Sequence, residues 1–446
     1  MRTSLASLVF MAASLVVLAS LTASVAHAQP AAGTLTLTEE TVTWDDSVSA
    51  TFERGIFNAP ANRVRGSAGT IPVEIVRFHR NADAPGDVPP IVLLQGGPGY
   101  GTFDDYLGGS WFYVGEVEPL LNITDVILVG QRGFGPGVMP CDEAEALSLA
   151  EAFDDATRER TRREAIAQCR QKWEAAGRDL AGINVIEAAA DVADAARLLG
   201  YDRIQVYGKS FGSHQGMAVV RYHPDLVVRA TLGALEGPDH TYDSPDGVLE
   251  TLERIAAAAD TSAALRALVP EEGLLAAYRA LIHRADAEPI TVETTNPRTE
   301  EAITVQLDGD DFRELVRGVT RGLKFRYIMP AWPLDILTML NGDYAQAGRR
   351  ITGMNTSTRV RSAGWYAFDC ASGISAERGE RYRQSAAAEV VGPLWRDYDV
   401  DCAAWGGADL GEAFRTGFVT DVPTLLAQGT WDMNTPYENA TDLLPA

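Results

Sequence analysis

Two kinds of hydrophobic pattern alternate along the chain. Short runs such as Ile91-Val-Leu-Leu94 and Val126-Ile-Leu-Val129 are apolar at every position. Such runs predict strands of a parallel sheet covered on both faces, because a half-exposed strand would alternate apolar with polar residues. Between and after them lie helix-forming stretches, above all the Ala-rich Ile186 to Leu199. Upstream, β-prone segments recur at Thr34–Thr38, Thr51–Arg54 and Ile71–Phe78, followed by a polar, proline-containing loop from Asn81 to Pro90. Asp202–Tyr207, Val228–Leu232 and Pro423–Ala427 complete the expected strands. This β-α alternation predicts an α/β fold with a doubly wound, mostly parallel sheet.

The pattern changes between residues 246 and 417, where helical periodicity dominates. Its clearest helical stretches are Leu249–Arg284 and Asp311–Ile351. Between them a hairpin is expected, with strands at Ile290–Glu293 and Ile303–Leu307 and a turn at Asn296-Pro-Arg298. The expected organisation is a sheet-bearing core at 29–245, a mainly helical lid at 246–417, and a second part of the core at 418–446.

Composition adds a compartment. Residues 1–28 have the form of a secretory signal: Arg2, an apolar run around Leu8 to Ala19, and Ala26-His-Ala28 as a small-x-small cleavage site. The expected location is therefore outside the cytoplasm, periplasmic or extracellular. A net charge of −23 argues against nucleic-acid partners and anionic membrane surfaces. The four cysteines, Cys141, Cys169, Cys370 and Cys402, are expected to form two disulfides. Three pairings are possible, and the sequence-local one, Cys141–Cys169 with Cys370–Cys402, is the expectation. No C-x-x-C or H-E-x-x-H occurs, so neither metal nor cofactor is expected.

The chemistry concentrates in Val206-Tyr-Gly-Lys-Ser-Phe-Gly-Ser-His-Gln-Gly216. The Gly-Lys-Ser within it is not a phosphate loop. That loop needs a glycine five residues before the second one, and here the position holds Arg203. The same stretch fits G-x-S-x-G, the turn that lifts a nucleophilic serine between a strand and a helix. A strand ends at Gly208 and a proline-free stretch follows to Tyr222. Two further strand ends carry suggestive residues. Gln95-Gly-Gly-Pro-Gly99 follows one strand, and its Gly96 and Gly97 would let backbone N–H groups face an oxyanion, with Phe211 N–H completing the hole. Asp432 follows the last strand, where a triad acid is expected after the serine.

These stretches, together with Gly130-Gln-Arg-Gly133 and Gly429-Thr-Trp-Asp432 followed by Thr435-Pro436, resemble a secreted α/β-hydrolase of the proline iminopeptidase and tripeptidyl aminopeptidase group. Many members have His-Gly-Gly-Pro-Gly where this chain has Gln95. The resemblance implies a serine peptidase releasing N-terminal residues or short peptides, with Ser210 as nucleophile, Asp432 as acid, and Gly96 and Gly97 in the oxyanion hole. An exopeptidase must hold an α-ammonium, and Glu236 and Asp239, just after a strand end, are the expected carboxylates.

The base is the difficulty. The family's histidine follows the acid, yet Met433 to Ala446 holds none. His27 lies in the signal, His79 after an early strand, His223 in a His-Pro turn and His283 in the lid. His214 sits one turn past Ser210 and is expected to face away from its hydroxyl. His240 follows a strand end and is a minor candidate for a surrogate base at the pocket. The expectation is a chain that stops before its last strand and histidine, nearly inactive as written, since losing the base costs on the order of 10⁶ in kcat. An esterase on the same residues, or a non-catalytic exported binding protein, are the alternatives.

Overall fold

The computed structural model describes residues 32–44, 47–66, 69–99, 103, 107–142, 146–321, 332–357 and 360–444. The expected signal at 1–28 lies outside these residues, as does 322–331 within the expected helical stretch Asp311–Ile351. No helix among the described residues is long and apolar enough to cross a membrane.

Among the described residues ten strands form: β1 (Leu35–Trp44), β2 (Val48–Pro60), β3 (Thr70–Phe78), β4 (Ile91–Leu94), β5 (Val126–Val129), β6 (Ile204–Ser210), β7 (Val227–Leu235), β8 (Ile290–Thr295), β9 (Ala302–Leu307) and β10 (Thr424–Ala427). Eight of them make one sheet in the order β1-β2-β3-β5-β4-β6-β7-β10. The β1–β2, β2–β3 and β3–β5 pairs are antiparallel, and the rest are parallel. This is the α/β-hydrolase fold expected from the sequence.

The continuous apolar strands are covered on both faces, as their composition requires. Val92 and Leu94 of β4 and Ile127 and Val129 of β5 face one core, which they share with α2 (Val185–Leu198) and α3 (Phe211–Tyr222). Leu93, Val126 and Leu128 point the other way, against Phe103, Phe112 and Leu121. The strand period of two therefore divides each apolar run between two layers. Only β10 departs from this. It lies at the sheet edge among the described strands, and Leu425 is 62% exposed.

The stretch expected as a single lid packs as two parts. Helices α4 (Pro245–Thr261), α5 (Leu274–Ala287), α6 (Gly309–Arg321), α7 (Trp332–Leu340) and α8 (Ala345–Asn355) join the β8–β9 hairpin around a separate core that includes Leu252, Tyr278, Phe312 and Trp332. The helical stretch expected from Leu249 to Arg284 breaks between α4 and α5. Gly273 takes φ +90° there, and Asp260 accepts a hydrogen bond from the Leu274 amide at 3.0 Å. Helices α9 (Ala363–Ser372), α10 (Ala376–Arg383) and α11 (Trp395–Trp405) instead join the sheet's core through Tyr366, Phe368, Tyr382 and Trp405. The reason is visible in α9, which is apolar on nearly all sides and buries nine of its residues. Cysteines pair as the local expectation had it. Cys370–Cys402 ties α9 to α11, and Cys141–Cys169 ties a loop to α1 (Asp155–Ala175).

Candidate active site

Strand β6 delivers Ser210 to the first turn of α3 with φ 55° and ψ −132°, a conformation that non-glycine residues rarely adopt. Backbone strain of this kind clusters at functional sites, and Ser210 also opens onto a cavity, which makes it the candidate functional side chain here. The two flanking glycines are sterically required. A Cβ on Gly208 would lie 2.1 Å from the Gly212 carbonyl oxygen, and one on Gly212 would lie 2.2 Å from the Leu94 carbonyl oxygen. Lys209, the residue that suggested phosphate, pairs with Glu116 at 2.6 Å.

The Gly96 loop faces this turn. A Cβ on Gly96 would stand 3.3 Å from the Ser210 Cβ and 3.6 Å from its Oγ, so the loop backbone runs directly against the serine. Gly97 and Gly99 adopt φ +119° and +107°, which glycine alone accepts readily. Phe211 opens α3, where the first amides have no partner within the helix. Its ring packs edge-on against Phe368 of α9 at 5.4 Å between centroids.

Sequence reasoning missed the residue that holds the loop. The buried Gln131 amide accepts from the Gly99 N–H at 2.8 Å and donates to the carbonyls of Gln95 and Gly96, each at 3.0 Å. Only a side chain with both a donor and an acceptor can satisfy all three. Gln131→Leu is therefore expected to lower unfolding stability by about 1–3 kcal/mol. It is also expected to speed hydrogen exchange at the Gly99 amide relative to the rest of β4 and β5. Exchange at wild-type rates would show that the loop holds its shape without Gln131.

A cavity of about 310 Å³ opens at Ser210. Its walls include Gly97, Glu236, Asp243, Asp369 and Arg361. Glu236 follows Leu235, whose Cα is paired with that of Ser210 across β6 and β7. The Glu236 amide donates to Ser213 Oγ at 2.9 Å, and that hydroxyl donates to the Ser210 carbonyl at 2.7 Å. Burial pushes the Glu236 carboxyl well above the usual range, and the nearby Asp369 charge pushes the same way. A cation entering the cavity would relieve both effects.

The other candidates fall elsewhere. Asp239 does not line the cavity. Its carboxylate accepts from Arg378 Nε at 2.9 Å and Ser375 Oγ at 2.8 Å, so it anchors α10. Asp432 lies beside the cavity, which its neighbours Asn434 and Thr435 line. Its oxygens accept from the Asn434 and Thr435 amides, both at 3.0 Å, and from Thr435 Oγ1 at 2.8 Å.

His240 lines the cavity, yet both its ring nitrogens are engaged. Nδ1 accepts from the Gly237 amide at 3.0 Å, and Nε2 faces Asp442 at 3.4 Å. His214 is buried beneath the turn. Its Nδ1 donates to the Gly237 carbonyl at 3.0 Å and its Nε2 accepts from Ser372 Oγ at 3.1 Å. Burial brings its pKa down to about 4, so it is neutral near pH 7. The two imidazoles clamp the Gly237 peptide that follows Glu236. Neither has a ring nitrogen left for a serine proton.

Asp243, Arg361 and Asp369 also went unnoticed in the sequence, because nothing local marks them. They come from the loop before α4 and from the entry and body of α9, far along the chain from Ser210.

No family model matches the chain, and no curated protein matches it. Among solved structures, the chain is similar to the rice cell-wall-degrading esterase LipA from Xanthomonas oryzae, at 12% identity over 93% of this chain and 88% of that one, with a TM-score of 0.35. It is also similar to a bacterial membrane phospholipase A described as a virulence factor, at 15% identity over 92% and 75%, TM-score 0.30. A third is a serine hydrolase from the polyaromatic-hydrocarbon-degrading bacterium Cycloclasticus zankles, at 12% identity over 88% and 86%, TM-score 0.30. Likenesses this distant carry nothing about the chemistry of this chain.

Proposed function

We propose that the protein is an exported serine hydrolase of short peptides with a free amino end. One observation carries the reading. Ser210 is held in a strained elbow against the Gly96 loop, at a small cavity whose walls bring Glu236, Asp243 and Asp369 together. In this reading Ser210 Oγ adds to the scissile carbonyl, its proton passes to solvent water, and solvent returns a proton to the leaving amine. The amides of Phe211 and the Gly96–Gly97 loop hold the oxyanion, and water releases the acyl group. The carboxylates hold the substrate ammonium. A cavity of about 310 Å³ is at the small end of ligand pockets, roughly 300–1,000 Å³, which favours short substrates. Two disulfides suit an oxidising compartment outside the cytoplasm.

Asp432 is the proposed acid of the site. His214 and His240 are committed to the fold, so amide turnover by this chain is expected to be slow. Activated acyl donors are therefore the sensitive probes. The test is labelling by a fluorophosphonate, whose fluoride leaves as Ser210 Oγ bonds phosphorus, together with hydrolysis of aminoacyl p-nitrophenyl esters. Labelling is expected in the wild type and absent in Ser210→Ala. Free-amine esters are expected to react at least ~10-fold faster than N-acetylated ones, the worth of one charge-assisted contact. Equal rates for the two would make this a general esterase. Equal behaviour of wild type and Ser210→Ala would leave a binding protein.

A further inference from the structure

Most arginines of the second helical part are held in ion pairs. Arg378 pairs with Asp239 and Asp442, Arg383 with Asp399, Arg396 with Glu159 and Arg415 with Asp409. Arg361 is different. It lies exposed at the wall of the Ser210 cavity, and among the described residues its guanidinium has no hydrogen bond or ion pair, its charge being felt at longer range by Asp401 and Tyr366. It is nonetheless fixed. The guanidinium carbon stands 4.1 Å over the ring of Trp365, which is itself 7% exposed, and the Arg361 amide donates to Tyr366 Oη at 3.0 Å.

A stacked guanidinium keeps its in-plane N–H donors free, and these match a carboxylate two at a time. Stacking also removes much of the side-chain freedom that binding would otherwise have to restrict. The cavity is therefore polarised, with carboxyls at Glu236, Asp243 and Asp369 and one positioned cation on the same wall set. Resting on the reading of Ser210 as nucleophile, we infer that Arg361 binds a substrate carboxylate, so that the site selects short zwitterionic peptides. The ammonium end meets Glu236 and Asp369, and the carboxylate end meets Arg361. Two extended residues span about 7 Å, a length in keeping with the cavity's volume.

The experiment separates binding from turnover. Calorimetry on full-length Ser210→Ala compares Ala-Ala with its C-terminal amide, Ala-Ala-NH₂. The free dipeptide is expected to bind about 10–100-fold more tightly than the amide, the range of a charge-assisted contact. In Ser210→Ala/Arg361→Leu that difference is expected to vanish through weaker binding of the free acid alone, with Kd for the amide unchanged. Three results overturn the inference: acid and amide binding within 2-fold of each other, Arg361→Leu weakening both equally, or no binding of the dipeptide. Fluorophosphonate labelling of the wild type judges the nucleophile independently. A labelled serine without dipeptide selectivity would remove only the role of Arg361. Dipeptide selectivity without labelling would remove only the hydrolase reading.

Discussion

Gly212→Ala is expected to lower unfolding stability by about 3 kcal/mol, the upper end for an overpacked site, and to abolish labelling of Ser210. The new Cβ would meet the Leu94 carbonyl oxygen at 2.2 Å and the Gln95 oxygen at 2.9 Å. Both are backbone atoms at the end of β4, so no rotamer change can relieve the contact. The elbow, the central strand and the oxyanion loop must separate together. Gly216→Ala, one helical turn on, is the internal comparison. Its Cβ would meet a leucine methyl, Leu232 Cδ2, at 2.7 Å, which a side-chain shift can absorb. The cost there is expected to be nearer 1 kcal/mol, the low end for overpacking, with labelling retained. Urea denaturation of the two variants decides the matter. Equal, small losses would mean that the strand and helix are not packed as tightly as these distances require.

The second large effect is expected at Arg132. Its side chain is fully buried, and it donates to both Asp191 oxygens at 2.6 and 2.8 Å and to the Ala61, Gly182 and Pro60 carbonyls. Arg63 shares the same acids, reaching Asp191 at 2.8 Å and Glu187 at 2.7 Å. Arg132→Met removes the cation and leaves buried carboxylates with one partner fewer and three carbonyls without this donor. The expected loss is about 3–5 kcal/mol, the cost of breaking rather than replacing a buried pair. Arg132 neighbours Gln131, so the Gly96 loop is expected to loosen as well, visible as faster exchange at Gly99. A loss below about 1 kcal/mol would show that Arg63 alone neutralises the acids, as in an exposed pair.

How much of this was legible depended on range. Val126-Ile-Leu-Val129 declares a doubly covered strand in four residues, and G-x-S-x-G declares its turn in five, because Gly208 must clear Gly212 within the motif, although Gly212 must also clear Leu94 of the neighbouring strand. The β8–β9 hairpin was equally plain, with its turn residues between two short β-prone runs. The helical stretch 246–417 was harder. One periodicity describes α4 and α9 alike, and nothing local says that α4 faces its own core while α9 joins the sheet's. Asp239 and Glu236 looked interchangeable three residues apart. Arg378, 139 residues away, took one of them and left the other at the cavity.

By itself, then, the sequence determined the α/β sheet, the elbow at Ser210 and the glycine-rich loop at Gly96. Each rests mainly on interactions between residues close in the chain or on the two-residue period of a buried strand. The cysteine pairing, one of three the sequence allowed, was settled by the fold. Only the tertiary structure decided which carboxylates line the cavity at the serine, that Gln131 holds the loop, that His214 and His240 are committed to Gly237, and that the Arg361 guanidinium lies over Trp365 with no ion pair among the described residues. Those outcomes belong to side chains whose partners are brought together by packing across long separations. A charged residue's role follows from what neutralises it, and that is a property of the fold.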